Sequence, residues 1–391
     1  MNSVQDIFDR RVKRLATSMN LQEPDCVGIM PMIGPWAAHI INNDSLSLAF
    51  DYQGLSDVFL NIAREFDLDA INPPTGCRWG PIYSSLGSTE FSFYNEKGAA
   101  HPSLHHIGRT NMHASEYPEL IADAYRFICE KLLPRKYPAL NVPEPRRSMI
   151  LAKGAIQFSD YQMNGLGPLI KRMREEFGMP VYNSSATLMP LDLLADYFRG
   201  FTGITLDIRR RPDDVLAACE ALVPLTLACA IGNREAQDFP TTFIPLHIPT
   251  YLKPKDFETF YFPTFKAMIA GVVKAGRRVT LFMEGNWLPY VEFFQELPKG
   301  KVNGIFEYGD ALEMKKGFGN VICLIGGMPV QLLNYGTRQE VIDHTRRLID
   351  DMAPGGGWIL GMDKSMLAPN DGNPDNMKAM IETVRKYGVY K

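Results

Sequence analysis

No Cys-x-x-Cys pair occurs in this chain. Its six cysteines, Cys26, Cys77, Cys129, Cys219, Cys229 and Cys323, are scattered, a pattern that suits reduced thiols in a cytoplasm and gives no support to a disulfide framework. The first residues, MNSVQDIFDRRVKRLATSM, carry charges throughout and lack the apolar core of a secretory signal. Nor does any uninterrupted apolar run approach the roughly 18 residues of a membrane helix. With a net charge of -3, the chain has no basic stripe for nucleic acid, and the short Arg209-Arg210-Arg211 run reads as a solvated cluster. Internal repeats and low-complexity tracts are absent. These absences leave a cytoplasmic protein that acts on small molecules or on other proteins, with neither nucleic acid nor membrane as partner.

What is present is a large apolar payload in a regular order. At 391 residues and 46% hydrophobic content, the chain can bury one large α/β core or two ordinary ones. In the second half, short apolar runs near Phe243-His247, Val279-Met283, Val302-Phe306, Val321-Ile325 and Trp358-Leu360 alternate with helical stretches, the rhythm of βα units around a parallel sheet. Helices are expected over Lys255-Ala275 and over Arg338-Met352, the latter behind Thr337 as N-cap. In the first half, Cys26-Met30, Ala70-Ile71 and Val181-Met189 read as strand-to-loop passages, and Leu191-Arg199 begins a helix. Residues 75–145, rich in Gly, Pro, His and Tyr, form an irregular insertion of the kind that serves as a binding loop or as a plain surface excursion.

The stretch Arg277-Arg278-Val279-Thr280-Leu281-Phe282-Met283-Glu284-Gly285-Asn286-Trp287 is the most informative. An apolar strand ends on the carboxylate of Glu284, and Gly285 turns the chain at once. An acid at a buried strand end must be paired, ligated or protonated. Two more strand residues, His247 and Cys323, could join it around one metal, since three protein ligands and an open position make a catalytic zinc; each also reads as an ordinary barrel residue. Trp79, Tyr83, Tyr182 and Trp287 could wall a pocket or simply pack. Asp310 reads as a helix cap, with Glu307 as a possible orienting group. His101, His105, His106 and His113 lie in the irregular segment, as a metal cluster or a polar loop.

The C-terminal GGGWILGMDKSMLAPNDGNPDNMKAMIETVRKYG resembles the last strand, loop and helix of the uroporphyrinogen decarboxylase superfamily, including its Pro-x-Asn-x-x-Ala-Met helix start at Pro374. Ile325-Gly326-Gly327-Met328-Pro329 with Gly336-Thr337, and Pro31-Met32-Ile33-Gly34, resemble further landmarks in the same order. The resemblance is dense over 240–391 and patchy before. It implies one (β/α)8 TIM barrel over residues 1–391, with an N-terminal helical extension, the irregular insertion, and chemistry at the C-terminal ends of the strands.

Two chemistries occur in that superfamily: tetrapyrrole decarboxylation, and methyl transfer dependent on zinc and a corrinoid. The decarboxylases' Arg-rich N-terminal segment is missing here, and Asn72-Pro73-Pro74 stands where they place Phe-Ser-Asp. The methyltransferases carry His-x-Cys-Gly-Asn where this chain has Phe282-Met283-Glu284-Gly285-Asn286, so Glu284 occupies a cysteine position. Their last cysteine falls near Asp363, which could replace it or cap a loop. A harder, carboxylate-containing site suits an oxygen-bearing substrate better than a thiol.

The resemblance thus implies a methyltransferase that moves a methyl group from a methyl ether, such as a phenyl methyl ether, to the Co(I) corrinoid of a separate protein. Glu284 and His247 would be catalytic. Trp287, Asn286, Asp363, Trp79 and Tyr83 would contact substrate, and His247, Glu284 and Cys323 would hold zinc. The alternatives are a lyase on a small carboxylic acid, clamped by Arg78, Arg109 or Lys364, and a non-catalytic ligand-binding paralogue.

Overall fold

The computed structural model describes residues 3–43, 47–73, 79–94, 103–106, 108–232 and 239–390. Seven parallel strands run in the order Gly28–Ile29, Trp358–Met362, Cys323–Met328, Val302–Phe306, Arg278–Met283, Thr241–Leu246 and Ser185–Ala186. An eighth extended run closes the ring. Asp69 N donates to Ile29 O at 2.9 Å, Ile71 bridges Val181 in parallel, and Tyr182 N donates to Ile71 O at 3.0 Å. The result is the expected eight-stranded barrel with helices outside, whose second strand pairs over only a few residues.

The interior of the barrel holds Met30, Tyr182, Ile305, Ile325 and Ile359, and Leu15 and Met19 of the N-terminal helix Val4–Met19 join the same apolar cluster. That helix therefore plugs the barrel floor, and the opposite, C-terminal end is left for chemistry. Among the described helices, Pro212–Ile231 has the length and mean hydropathy (1.8) that a membrane span would need. It packs in the outer ring against helices Tyr117–Ala122 and Phe262–Lys274.

Local signals placed most elements. Helix Arg338–Met352 starts at Thr337, whose hydroxyl accepts from Glu340 N while the Glu340 carboxylate accepts from Thr337 N. Thr337→Ala removes one half of this box and is expected to cost about 1 kcal/mol in a urea melt. The helix expected over 255–275 is two, Pro254–Phe260 and Phe262–Lys274. Pro263 lacks the N–H that a continuous helix would use, and its ring would crowd the carbonyl of Thr259. The irregular segment contains, in its described part, the helix Gly80–Leu86, a hairpin of Phe91–Tyr94 with Ser103–His106, and several short helices.

One strand begins later than its apolar run does. Val321 and Ile322 still donate to Phe318 O in the turn that ends the preceding helix, so pairing begins at Cys323, opposite Asn303.

Candidate active site

Parallel strands carry His247 and Glu284 to the same end of the barrel, each one residue past its strand, after Leu246 and Met283. Gly285 has φ 74°, and a Cβ there would meet Thr250 Oγ1 at 3.0 Å. The glycine is thus required for the chain to turn at this point. Its N–H donates to the Glu307 carboxylate at 3.0 Å, which fixes the turn and leaves the Glu284 side chain in the mouth. Glu284 Oε1 lies 3.5 Å from His247 Nε2, and both side chains are half-buried.

His247 Nδ1 is 2.6 Å from Asp196 Oδ2. A carboxylate on Nδ1 holds the proton there and aims Nε2 toward Glu284. Asp192, fully buried, accepts from His247 N at 3.1 Å, Ile248 N at 2.8 Å and the Tyr261 hydroxyl at 2.6 Å, so it anchors the backbone from which His247 projects. Neither aspartate was singled out from the sequence. The available signal was a pair of acids four residues apart in the otherwise apolar Leu191-Asp192-Leu193-Leu194-Ala195-Asp196. A π turn over Leu194–Phe198 widens the helix there, a feature often found at functional sites.

Protonation follows from these contacts. Burial works to lower the His247 pKa, but the hydrogen bond and charge of Asp196, with Glu284 and Asp192, raise it to about 9. Burial raises the Glu284 carboxyl against the opposing pull of His247, and Glu307 and Asp196 push it further up. Asp192 is pushed up to about 7 by burial, against the hydrogen bonds from the Tyr261 hydroxyl and Ile248 N and the charge of His247. At neutral pH the histidine is an imidazolium enclosed by carboxyl groups, which is a proton reservoir at the barrel mouth.

A pocket of about 300 Å³ surrounds this group, lined by Asp196, Phe201, His247, Tyr251 and Glu284 among others. A far larger cavity, 1490 Å³, lies to one side, bordered by Met32, Asn72, Tyr182, Phe243 and Ser365 and by Phe158 and Met163 of a long helix. The titratable pair lines the smaller one. A strongly perturbed titratable pair in a cleft marks a candidate site more specifically than volume does.

Other expected residues fall elsewhere. Cys323 opens its strand and is therefore at the N-terminal end of the barrel, the end opposite His247 and Glu284; it is buried, and burial raises its thiol to about 12. It cannot join them on a metal. Among the described residues no three His, Cys, Asp or Glu side chains converge to hold an ion. Trp287 is fully buried against Phe257, Tyr290 and Phe294, and its Nε1 donates to Glu284 O at 3.0 Å, so it supports the turn from behind. Asn286 caps the next turn by accepting from Leu288 N. Asp363 accepts from Val330 N and caps helix Val330–Tyr335. Trp79 is stacked between Tyr52 and Tyr161 at 4.3 and 5.2 Å, and lines neither cavity, as is true of Tyr83.

Asp310 caps helix Ala311–Phe318 as expected, and Glu307 does orient the Gly285 turn. His101 and Arg78 lie outside the described residues. Arg109 and Lys364 are solvent-exposed and line neither cavity.

Comparison with known proteins agrees with this architecture. A search of curated proteins by sequence returns no match. Among solved structures, a methyltransferase from Methanosarcina mazei superposes with a TM-score of 0.64 over 96% of this chain and 98% of its own, at 14% sequence identity, which speaks for a shared fold. The sequence profile of uroporphyrinogen decarboxylase (URO-D) matches residues 152–387, more than half of the chain and six of its barrel strands, and the chain belongs to that family.

Proposed function

We propose that this chain transfers a methyl group from a methyl ether, such as a phenyl methyl ether, to the Co(I) corrinoid of a separate cytoplasmic protein. The observation that carries the reading is the Glu284–His247–Asp196 array: proton-holding groups stand at the strand end where thiol-activating relatives need a cysteine. The likeness to a methyltransferase fold supports it.

In this reaction the Co(I) electron pair forms the Co–C bond, the C–O bond breaks, and its electron pair stays on the departing oxygen. A phenol has a pKa near 10, so the bare phenolate is a poor leaving group. The His247–Glu284 pair delivers the proton that makes the product a neutral phenol. Asp196 holds His247 in place, and Asp192 fixes the backbone beneath it. The ring of Tyr251 and the apolar Phe201, which line the same pocket, give an aryl group a surface to rest on.

Zinc does not fit these residues as a three-ligand site, since Cys323 is at the far end of the barrel, and no step here uses it. The direct test is incubation with a corrinoid protein in the Co(I) state and aromatic methyl ethers. Appearance of the methyl-Co(III) spectrum supports the reading, and no change across a broad methyl-donor panel defeats it. Stoichiometric zinc in purified protein, lost on Glu284→Gln or His247→Ala, would overturn the proton-donor role.

A pH profile adds a second check. With His247 raised to about 9, the rate is expected to fall as pH climbs through that value. The sign is the same for stability: a raised folded-state pKa contributes stability fully present below about 6.5 and lost as pH rises through about 9. Asp196→Asn removes the group whose hydrogen bond most raises the imidazole, while burial still lowers it. The alkaline limb of the rate profile is therefore expected to move to lower pH.

A further inference from the structure

Asn183 lies between Val181, which bridges Ile71, and the strand Ser185–Ala186, and it has φ 65°, a left-handed backbone that few residues besides glycine and asparagine adopt. Its backbone N donates to Thr241 Oγ1 at 2.9 Å, and that hydroxyl passes its own proton to Asn183 Oδ1, also at 2.9 Å. The orientation of the amide is thereby set. Nδ2, which carries two N–H groups, donates to nothing among the described residues. The residue is only 7% exposed, and it lines the 1490 Å³ cavity.

Ser184 lines the same wall. Arg277 Nη2 donates to its hydroxyl and, at 3.2 Å, to that of Ser185. Ser185 sends its proton to Ala230 O at 2.6 Å, whereas the acceptor for Ser184 is Thr241 O at a long 3.4 Å. The Ser184 O–H is therefore free to turn to a ligand while a guanidinium holds its oxygen. Arg277 is 6% exposed, its Nε has no hydrogen-bond partner, and no carboxylate pairs with it among the described residues. A buried cation without a counter-ion is costly, and a guanidinium stays charged at any physiological pH. Two open donors with an unmatched positive charge behind them are the complement of an anion.

The rest of the cavity wall sets the body of that anion. Leu166, Ile170, Phe239 and Phe243 are apolar, and the volume of 1490 Å³ exceeds the roughly 300–1,000 Å³ of ordinary small-molecule pockets. We infer that this cavity is a second binding site, for an organic carboxylate with an apolar body. Its oxygens receive Asn183 Nδ2 and Ser184 Oγ, and its charge offsets that of Arg277. No residue that lines this cavity also lines the pocket of His247 and Glu284, so the inference is independent of the methyl-transfer reading.

Titration calorimetry of the full chain with decanoate is expected to show one site. Decanol, which has the same apolar body and no charge, is expected to bind about tenfold more weakly, the scale of a hydrogen bond to a charged group. Asn183→Gly keeps the left-handed backbone and removes the amide. It is expected to weaken decanoate about tenfold, with decanol binding and the far-UV circular dichroism spectrum unchanged, and Ser184→Ala is expected to act in the same direction. Equal affinity for decanoate and decanol overturns the inference, as does decanoate binding that neither variant weakens. Absence of decanoate binding at millimolar concentration overturns it too.

Discussion

Glu284→Gln is expected to slow methyl transfer to the Co(I) corrinoid by roughly 10²- to 10⁴-fold, the range that a positioned acid supplies. The substitution keeps the shape of the side chain, and the Gly285–Glu307 hydrogen bond that sets the turn does not involve the Glu284 carboxyl, so the fold is expected to survive. What disappears is a carboxyl raised by burial and 3.5 Å from an imidazolium. The loss should depend on the leaving group. A nitro-substituted phenyl methyl ether, whose phenolate leaves unaided, should narrow the gap between wild type and Glu284→Gln, because its oxygen needs no proton at the moment of departure. An equal loss for both ethers would mean that Glu284 only shapes the pocket. Stopped-flow spectra of the methyl-Co(III) product provide the rates.

Asp69→Asn is expected to destabilise the fold by about 3–5 kcal/mol, the usual cost of breaking a buried ion pair by removing one partner. The Asp69 side chain is fully buried. One oxygen meets Arg14 Nη1 at 2.5 Å, and the other accepts from Ile29 N at 2.7 Å and from Arg385 Nη2 at 3.1 Å. Those partners belong to the N-terminal helix, the first strand and the C-terminal helix. One carboxylate thus joins both ends of the chain to the second strand, which has few other barrel hydrogen bonds. An amide brings an N–H toward these donors and removes the charge that Arg14 and Arg385 face. Arg14 keeps Asp25 and Arg385 keeps Asp67, so the value belongs to the lower part of that range. A urea titration with an unchanged slope and a lower midpoint would register the loss. A shift below about 1 kcal/mol would show that the two arginines are already satisfied by their outer partners.

Local pattern made most of the barrel legible from residues alone. Alternating apolar runs and helices, the Thr337 cap, the Asp310 cap and the glycine behind Glu284 are each read within a few neighbours in the chain, and the caps and the glycine correspond to hydrogen bonds or a dihedral angle set by those neighbours. His247 and Glu284 were visible for the same reason: a polar residue at the end of an apolar strand is a local anomaly. Trp287 was misread because burial is not local. An aromatic side chain after a strand end looks alike whether it faces the mouth or, as here, the Phe257 cluster behind it. Trp79 was misread in the same way.

The family, the parallel α/β architecture and the strand-end carboxylate were legible in the residues alone, because they depend on periodicity and on motifs whose spacing the chain preserves. Which groups stand together came from the packed barrel. A two-residue delay in pairing carried Cys323 to the floor of the barrel, about 3.3 Å per residue along a strand being enough to separate it from the mouth. The π turn at Leu194–Phe198 and the parallel register of neighbouring strands brought Asp196 onto His247, 51 positions away. Registry and side-chain convergence are settled by packing over the whole barrel, and no window of the chain contains them.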